Sequence, residues 1–136
     1  MAFLLDTNVV SELRKSAPHP RVVEWHANHS EAAVYLSTLV VGEIRRGIER
    51  LRPRDPKQAD LLERWLSGLT ASYRERFLPV TAQVAEEWGR MSATAQPPPI
   101  VDGLMAATAS VHRLTLVTRN VADVARTGVP LVNPFG

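Results

Sequence analysis

The sequence predicts an α/β fold built on a parallel sheet, and three observations predict it. Short apolar runs alternate along the chain with longer amphipathic stretches, the pattern of strands joined by crossover helices. The chain opens on Phe3-Leu4-Leu5, which runs straight into the carboxylate of Asp6 and then into Thr7-Asn8-Val9-Val10, a buried strand turning into a helix. The whole is 136 residues with 45% hydrophobic composition, the size of one domain around one core. No repeat, low-complexity tract or linker divides residues 1–136, which read as a single domain.

The elements follow in order. A short helix is expected over Val9–Lys15, stopped by Ser16-Ala17-Pro18-His19-Pro20, and a second over Arg21–Asn28. Val34-Tyr35-Leu36 reads as the second strand. Ser37 or Thr38 caps the next helix, whose core stripe is Val40, Ile44, Ile48 and Leu51. Pro56 opens a long helix to about Arg76, with Ala59, Leu62, Leu66, Leu69 and Tyr73 at three- and four-residue steps. Leu61 and Trp65 widen that stripe, so the helix is expected to pack on two sides, with Trp65 a candidate for a subunit interface.

Phe77-Leu78-Pro79-Val80 is a short strand that its proline places near a sheet edge. Thr81 caps a helix to about Ala95, with Val84, Ala85 and Trp88 inward. Pro97-Pro98-Pro99 ends it, and Pro99 suits the first position of the next helix, through His112. Its alanines permit close packing on the sheet. Leu114–Thr118 is the clearest strand after the first, Arg119–Arg126 a loop or short helix, and Leu131-Val132 a last strand.

Composition narrows the function. Cysteine is absent, which excludes disulfides and thiolate metal sites. No apolar run nears the roughly 20 residues of a membrane span, and Asp6 interrupts the N-terminal run that a signal peptide would need. A cytoplasmic protein without membrane association is expected. Net charge is only +2, but 14 of the 16 basic residues are Arg, the side chain suited to phosphate.

The chain has five Asp, and three stand at element junctions: Asp6 after the first strand, Asp102 in the first turn after the prolines, and Asp123 after the strand at 114–118. Glu43 lies beside the core stripe of its helix, and Asn120 precedes Asp123 by three residues. Each has a plain structural reading. Asp6 can be an N-cap, Asp102 a partner of the helix dipole, Glu43 a solvated residue, and Asn120 and Asp123 turn residues. Together they point elsewhere. Junctions after parallel strands converge on one sheet edge, and carboxylates gathered there repel unless a cation joins them. With no His nearby in sequence and no Cys, the donor set suits Mg2+, or Mn2+ as a substitute.

The stretch Leu4-Leu5-Asp6-Thr7-Asn8-Val9-Val10-Ser11-Glu12 resembles the opening of PIN-domain nucleases of the VapC toxin type. Leu36–Gly47 is similar to the segment bearing that family's conserved Glu, here Glu43. Ile100–Ala109 resembles the third acidic motif, with Asp102, and Leu116–Asp123 the fourth. Val132-Asn133-Pro134-Phe135 also fits, so the likeness spans the chain. It implies a three-layer α/β/α sandwich with a central, mostly parallel sheet of four to five strands. It also implies a metal-dependent ribonuclease toxin of a type II toxin–antitoxin system, with a VapB-like antitoxin that blocks the site, and a homodimer. Asp6, Glu43 and Asp102 would be the catalytic, metal-holding acids. Many members have Asp directly after the Thr-Arg pair where this chain has Asn120, so the fourth position falls to Asn120 or Asp123. Thr7, Asn8 and Thr118 would hydrogen-bond the acids or the phosphate.

Arg45, Arg46, Arg50, Arg52 and Arg54 face only Glu49 between residues 45 and 54. They form either a solvated helix end or a phosphate rail for RNA, with Arg119 a further candidate. Trp25, Trp65 and Trp88 are expected in the core rather than under bases, and the four His lack metal-ligand spacing. Alternatives compete. A phosphohydrolase of another α/β family is disfavoured by Asn8, where such enzymes often carry a second Asp, and a nucleotide-binding switch by the lack of either phosphate-binding glycine pattern. The last is a catalytically weak or inactive PIN-like module that binds RNA or antitoxin, for which Asn120 is the main support.

Overall fold

The computed structural model describes residues 1–136. The elements are β1 (Phe3–Leu5), α1 (Thr7–Arg14), α2 (Pro20–Ala27), β2 (Val34–Ser37), α3 (Thr38–Leu51), α4 (Pro56–Tyr73), β3 (Phe77–Leu78), α5 (Ala82–Ser92), α6 (Ile100–His112), β4 (Thr115–Val117), α7 (Val121–Val124) and β5 (Leu131–Val132). The five strands form one sheet in the order β3-β2-β1-β4-β5. Every neighbouring pair is parallel: Phe3 is opposite Val34 and Thr115, Leu36 opposite Phe77, and Leu116 opposite Leu131.

This order explains the layers. From β1 the chain steps to β2 and then β3 in one direction, and afterwards returns to β4 and β5 in the other. Right-handed crossovers then put α1–α4 on one face and α5–α7 on the opposite face. The packing agrees: α1 lies on α2 and α3, α3 on α4, and α6 on both α5 and α7. The result is an α/β/α sandwich. The connections diverge between β1 and β4, the place where ligands bind in open α/β sheets, outside the carboxyl ends of the strands.

The core is apolar on both faces of the sheet. Leu4, Leu5, Leu36, Leu116 and Val117 are buried in the strands, covered by Val9, Val40, Ile44, Ile48 and Leu66 on one side and Met105, Ala106 and Ala109 among the residues of the other. The alanines of α6 allow the expected close approach. Gly103 allows a second one: a Cβ there would stand 3.1 Å from Trp88 and 3.3 Å from Pro98, so α5 and the proline loop close onto α6.

Several expected details change. Helix α1 begins two residues early, at Thr7, because Asp6 caps it, its carboxylate accepting from Thr7 N–H. Helix α5 ends at Ser92, whose Oγ donates back to the Trp88 carbonyl at 2.6 Å. Pro99 is the cap of α6 rather than its first residue. Ala85 is exposed, because α5 turns only Val84 fully inward. Helix α4 closes at Tyr73 with a tight turn over Arg74–Arg76, and Arg76 anchors it by donating to the Glu31 and Val34 carbonyls.

Candidate functional site

The site forms at the carboxyl end of β1 and β4. Asp6 ends β1 and is 5% exposed. Its backbone N–H donates to the Val117 carbonyl at 2.9 Å, which fixes the residue against the end of β4. Both side-chain oxygens are engaged and oriented. Oδ1 accepts from Thr7 N–H at 2.7 Å; Oδ2 accepts from the Thr118 hydroxyl at 2.7 Å and from Asn8 Nδ2 at 3.3 Å. Asp6 is therefore itself the N-cap of α1.

The neighbours hold one another. Asn8 Nδ2 also reaches Thr118 Oγ1 at 3.3 Å, and Asn8 Oδ1 accepts from Arg119 N–H at 3.2 Å. Thr118 Oγ1 in turn accepts from Asn120 N–H at 3.0 Å. The loop after β4 is thus tied to the start of α1 by side chains 110 to 112 residues apart in sequence. Glu43 is exposed on α3, yet its Oε1 accepts from the Thr7 hydroxyl at 2.5 Å, leaving Oε2 without a protein partner.

Asp102, in the first turn of α6, is pushed up to about 6, first by partial burial and then by the charges of Asp6, Asp123 and Glu43. Four carboxylates from four separate elements thus share one field. None of them forms an ion pair, although the chain carries 16 basic groups. No three of them are close enough to make a ready ligand cage. They are gathered but held apart, as unneutralised like charges must be. A hard divalent cation fits this donor set chemically: oxygen-only, multiply negative and without a protein counter-charge.

Asp123 is among the charges that raise the Asp102 carboxyl, after burial and Asp6. Asn120 is exposed and its side chain makes no hydrogen bond; only its backbone is used, donating to Thr118 and accepting from Asp123 N–H at 3.1 Å.

The Arg cluster divides. Arg45 pairs with Glu49 and, at 2.6 Å, with Glu63. Arg52 bridges Glu49, Asp60 and Glu63 at 2.7–3.2 Å. These two bind α3 to α4 as a surface network, so an open five-arginine rail is not what the structure presents. Arg46, Arg50 and Arg54 are exposed without ion pairs. Arg119 stands over the Phe135 ring, 3.9 Å from its centroid, and is held in place rather than free.

Sequence reasoning missed Glu12. It is buried and accepts from Lys15 Nζ and His19 N–H, both at 2.9 Å, which hold its carboxyl below the usual range. It fixes the turn into α2 beside His19, whose ring meets Phe135 edge-on. No sequence signal separates it from a solvated helix residue. Of the tryptophans, Trp25 packs edge-on against Phe3 and stacks on His29, and Trp88 packs at Gly103. Trp65 lies with Leu13, His26, Leu69 and Tyr73 in a groove of about 190 Å3, with the Arg14 guanidinium 5.8 Å over its ring.

With this geometry the class of protein is defined: residues 3–128 match the PIN domain, and the chain belongs to that family. It is similar to the toxin FitB of Neisseria gonorrhoeae, at 34% identity over 97% of each chain. It is also similar to the VapC ribonuclease Y4jK of Sinorhizobium fredii, at 29% identity over 97% of this chain and 96% of the relative. Among solved structures, the crystal structure of FitAcB from Neisseria gonorrhoeae superposes with a TM-score of 0.89 at 33% identity, covering 98% of both chains.

Proposed function

We propose that this protein is a divalent-metal-dependent ribonuclease, the toxin of a type II toxin–antitoxin pair. The observation that carries the reading is the set of four carboxylates, Asp6, Glu43, Asp102 and Asp123, sharing one field at the switch point of the sheet without a counter-charge. The relatives named as a toxin and as a ribonuclease support it.

Asp6, Asp102 and Glu43 would hold Mg2+, or Mn2+ in its place, with Asp123 rather than Asn120 adding the fourth charge. The bound ion would make a water molecule acidic enough to serve as nucleophile and would offset charge on the phosphoryl oxygens. The chain's own groups do the rest. Thr118, Asn8 and the N–H of Thr7 orient Asp6, so its carboxylate is set before substrate arrives. Thr7 holds Glu43 by one oxygen, leaving the other for the ion or for a water proton. Arg46, Arg50 and Arg54 supply uncommitted positive charge that draws in the RNA backbone.

We assign to protein partners, a VapB-like antitoxin and a second copy of the chain, the surface of α4 at Leu61, which is 53% exposed, and the neighbouring groove between α4 and α1, where Trp65, Leu69 and Leu13 lie with Arg14, His26 and Glu31. No helix is long and apolar enough to cross a membrane.

Calorimetric titration of Mg2+ and Mn2+ into the purified chain tests the reading. Saturable binding at neutral pH is expected, lost in Asp6→Asn. Intact RNA binding without metal binding would favour the inactive module instead.

A further inference from the structure

Beside the acids lies a pocket that the account so far leaves unused. It has a volume of about 540 Å3 and is walled by the Pro97–Pro99 run, Thr94, Gln96, Asp123 and Arg126, with the Met91 and Ala122 methyls also in its lining. Asp123 belongs both to this wall and to the field around Asp102, so pocket and acid cluster meet there. Resting on the ribonuclease reading, we infer that this pocket receives one nucleotide of the RNA next to the phosphate that is cut.

The chemistry of the walls selects the ligand. Arg126 forms no ion pair; its Nη1 donates to the neutral Gln96 Oε1 at 2.6 Å, which holds the guanidinium still and leaves its other N–H groups free. A fixed, uncompensated guanidinium is a phosphate group's natural partner. Asp123 repels phosphate from its own end, which assigns the phosphate to the Arg126 side. Three consecutive prolines make a stiff, largely apolar wall with no main-chain N–H, a surface against which a flat base or ribose can lie. The Gln96 amide and Thr94 hydroxyl offer donors and acceptors to a base edge. The volume falls within the roughly 300–1,000 Å3 of small-molecule sites. The proline wall is itself anchored, since Pro98 packs where Gly103 lacks a side chain.

Two measurements on the full chain test this. In the first, 5′-AMP, 5′-CMP, 5′-GMP and 5′-UMP are titrated in Mg2+ buffer while the Met91 and Ala122 methyl resonances are followed. At least one nucleotide should shift both methyls, and Arg126→Met should weaken it about tenfold or more without changing the melting temperature. Silent methyls, unchanged affinity in Arg126→Met, or equally tight binding of inorganic phosphate alone would overturn the pocket.

In the second, a randomised single-stranded RNA is cut by wild type, Arg126→Met and Gln96→Ala. Arg126→Met should raise KM about tenfold with kcat changed less than about threefold, and Gln96→Ala should relax base preference beside the cut. If wild type cuts and both variants cut with the same KM and preference, the pocket fails and the nuclease reading stands. If wild type cuts nothing while nucleotides still bind through Arg126, the nuclease reading fails and takes with it the placement beside the cut, while the pocket keeps its nucleotide.

Discussion

At Asp6 one carboxylate caps a helix through Oδ1 and is held by Thr118 and Asn8 through Oδ2. Both oxygens are aimed by groups that cannot easily move, since Thr118 is 1% exposed and itself bonded to Asn120 N–H. Thr118→Val keeps the shape but removes a donor to a buried carboxylate. It should cost about 1–3 kcal/mol, read by urea unfolding, and should also slow RNA cleavage. Asp102 gives a pH signature. Between its ordinary value of 3.8 and about 6, the folded chain keeps a proton that the unfolded chain has released. Stability from this group is therefore highest below that window and falls as pH rises through it. Asp102→Asn should remove that part of the slope in thermal melts of metal-free protein from about pH 4 to about pH 7. An unchanged profile would mean Asp102 does not feel its neighbours. At this scale the sequence named candidate acids but not how they are held. Asn120 and Asp123 differ in the structure in what they bond: the Asn120 side chain makes no hydrogen bond, and Asp123 lies in the field of Asp102.

Among the elements, two helix pairs decide the layers. Helices α5 and α6 close on each other where Gly103 meets Trp88. Gly103→Val should cost about 1–3 kcal/mol through overpacking, seen as a lower urea midpoint. Helix α4 has a different surplus. Leu61 lies exposed, so Leu61→Glu should leave the melting temperature of the monomer within error but weaken self-association or partner binding, measured by sedimentation. Every strand and long helix was legible, because apolar runs and three- to four-residue stripes survive in a short chain. The ends were not, since Asp6 and Ser92 set them by hydrogen bonds to the backbone. The pairing within the Arg cluster was hidden for a related reason. Arg45 and Arg52 find their partners Glu63 and Asp60 on the next helix, 8 to 18 residues away, where a count along α3 does not reach.

Across the whole molecule, one topological fact organises the rest. Reversal of the strand order between β1 and β4 leaves a crevice, and the chain fills its rim with Asp6, Thr118 and Asp123, with Asp102 and Glu43 reaching in from opposite layers. The sheet order could not be read from the sequence, because spacing alone does not say which strands pair; the family likeness supplied the layers. Charge is distributed to match: acids at the crevice, paired arginines between α3 and α4, and free ones at Arg46, Arg50 and Arg54. Replacing those three by Gln should lower RNA affinity and flatten the slope of log affinity against log salt by roughly two to three, measured by filter binding.

The central claim is that the acids at this crevice cut RNA with a divalent cation. Cleavage of a single-stranded RNA by purified wild type and Asp6→Asn, each with Mg2+ or with chelator, tests it most directly. Wild type with Mg2+ should cut, and either chelator or Asp6→Asn should reduce the rate by about a hundredfold or more. Equal cleavage in chelator, or by Asp6→Asn, would contradict it.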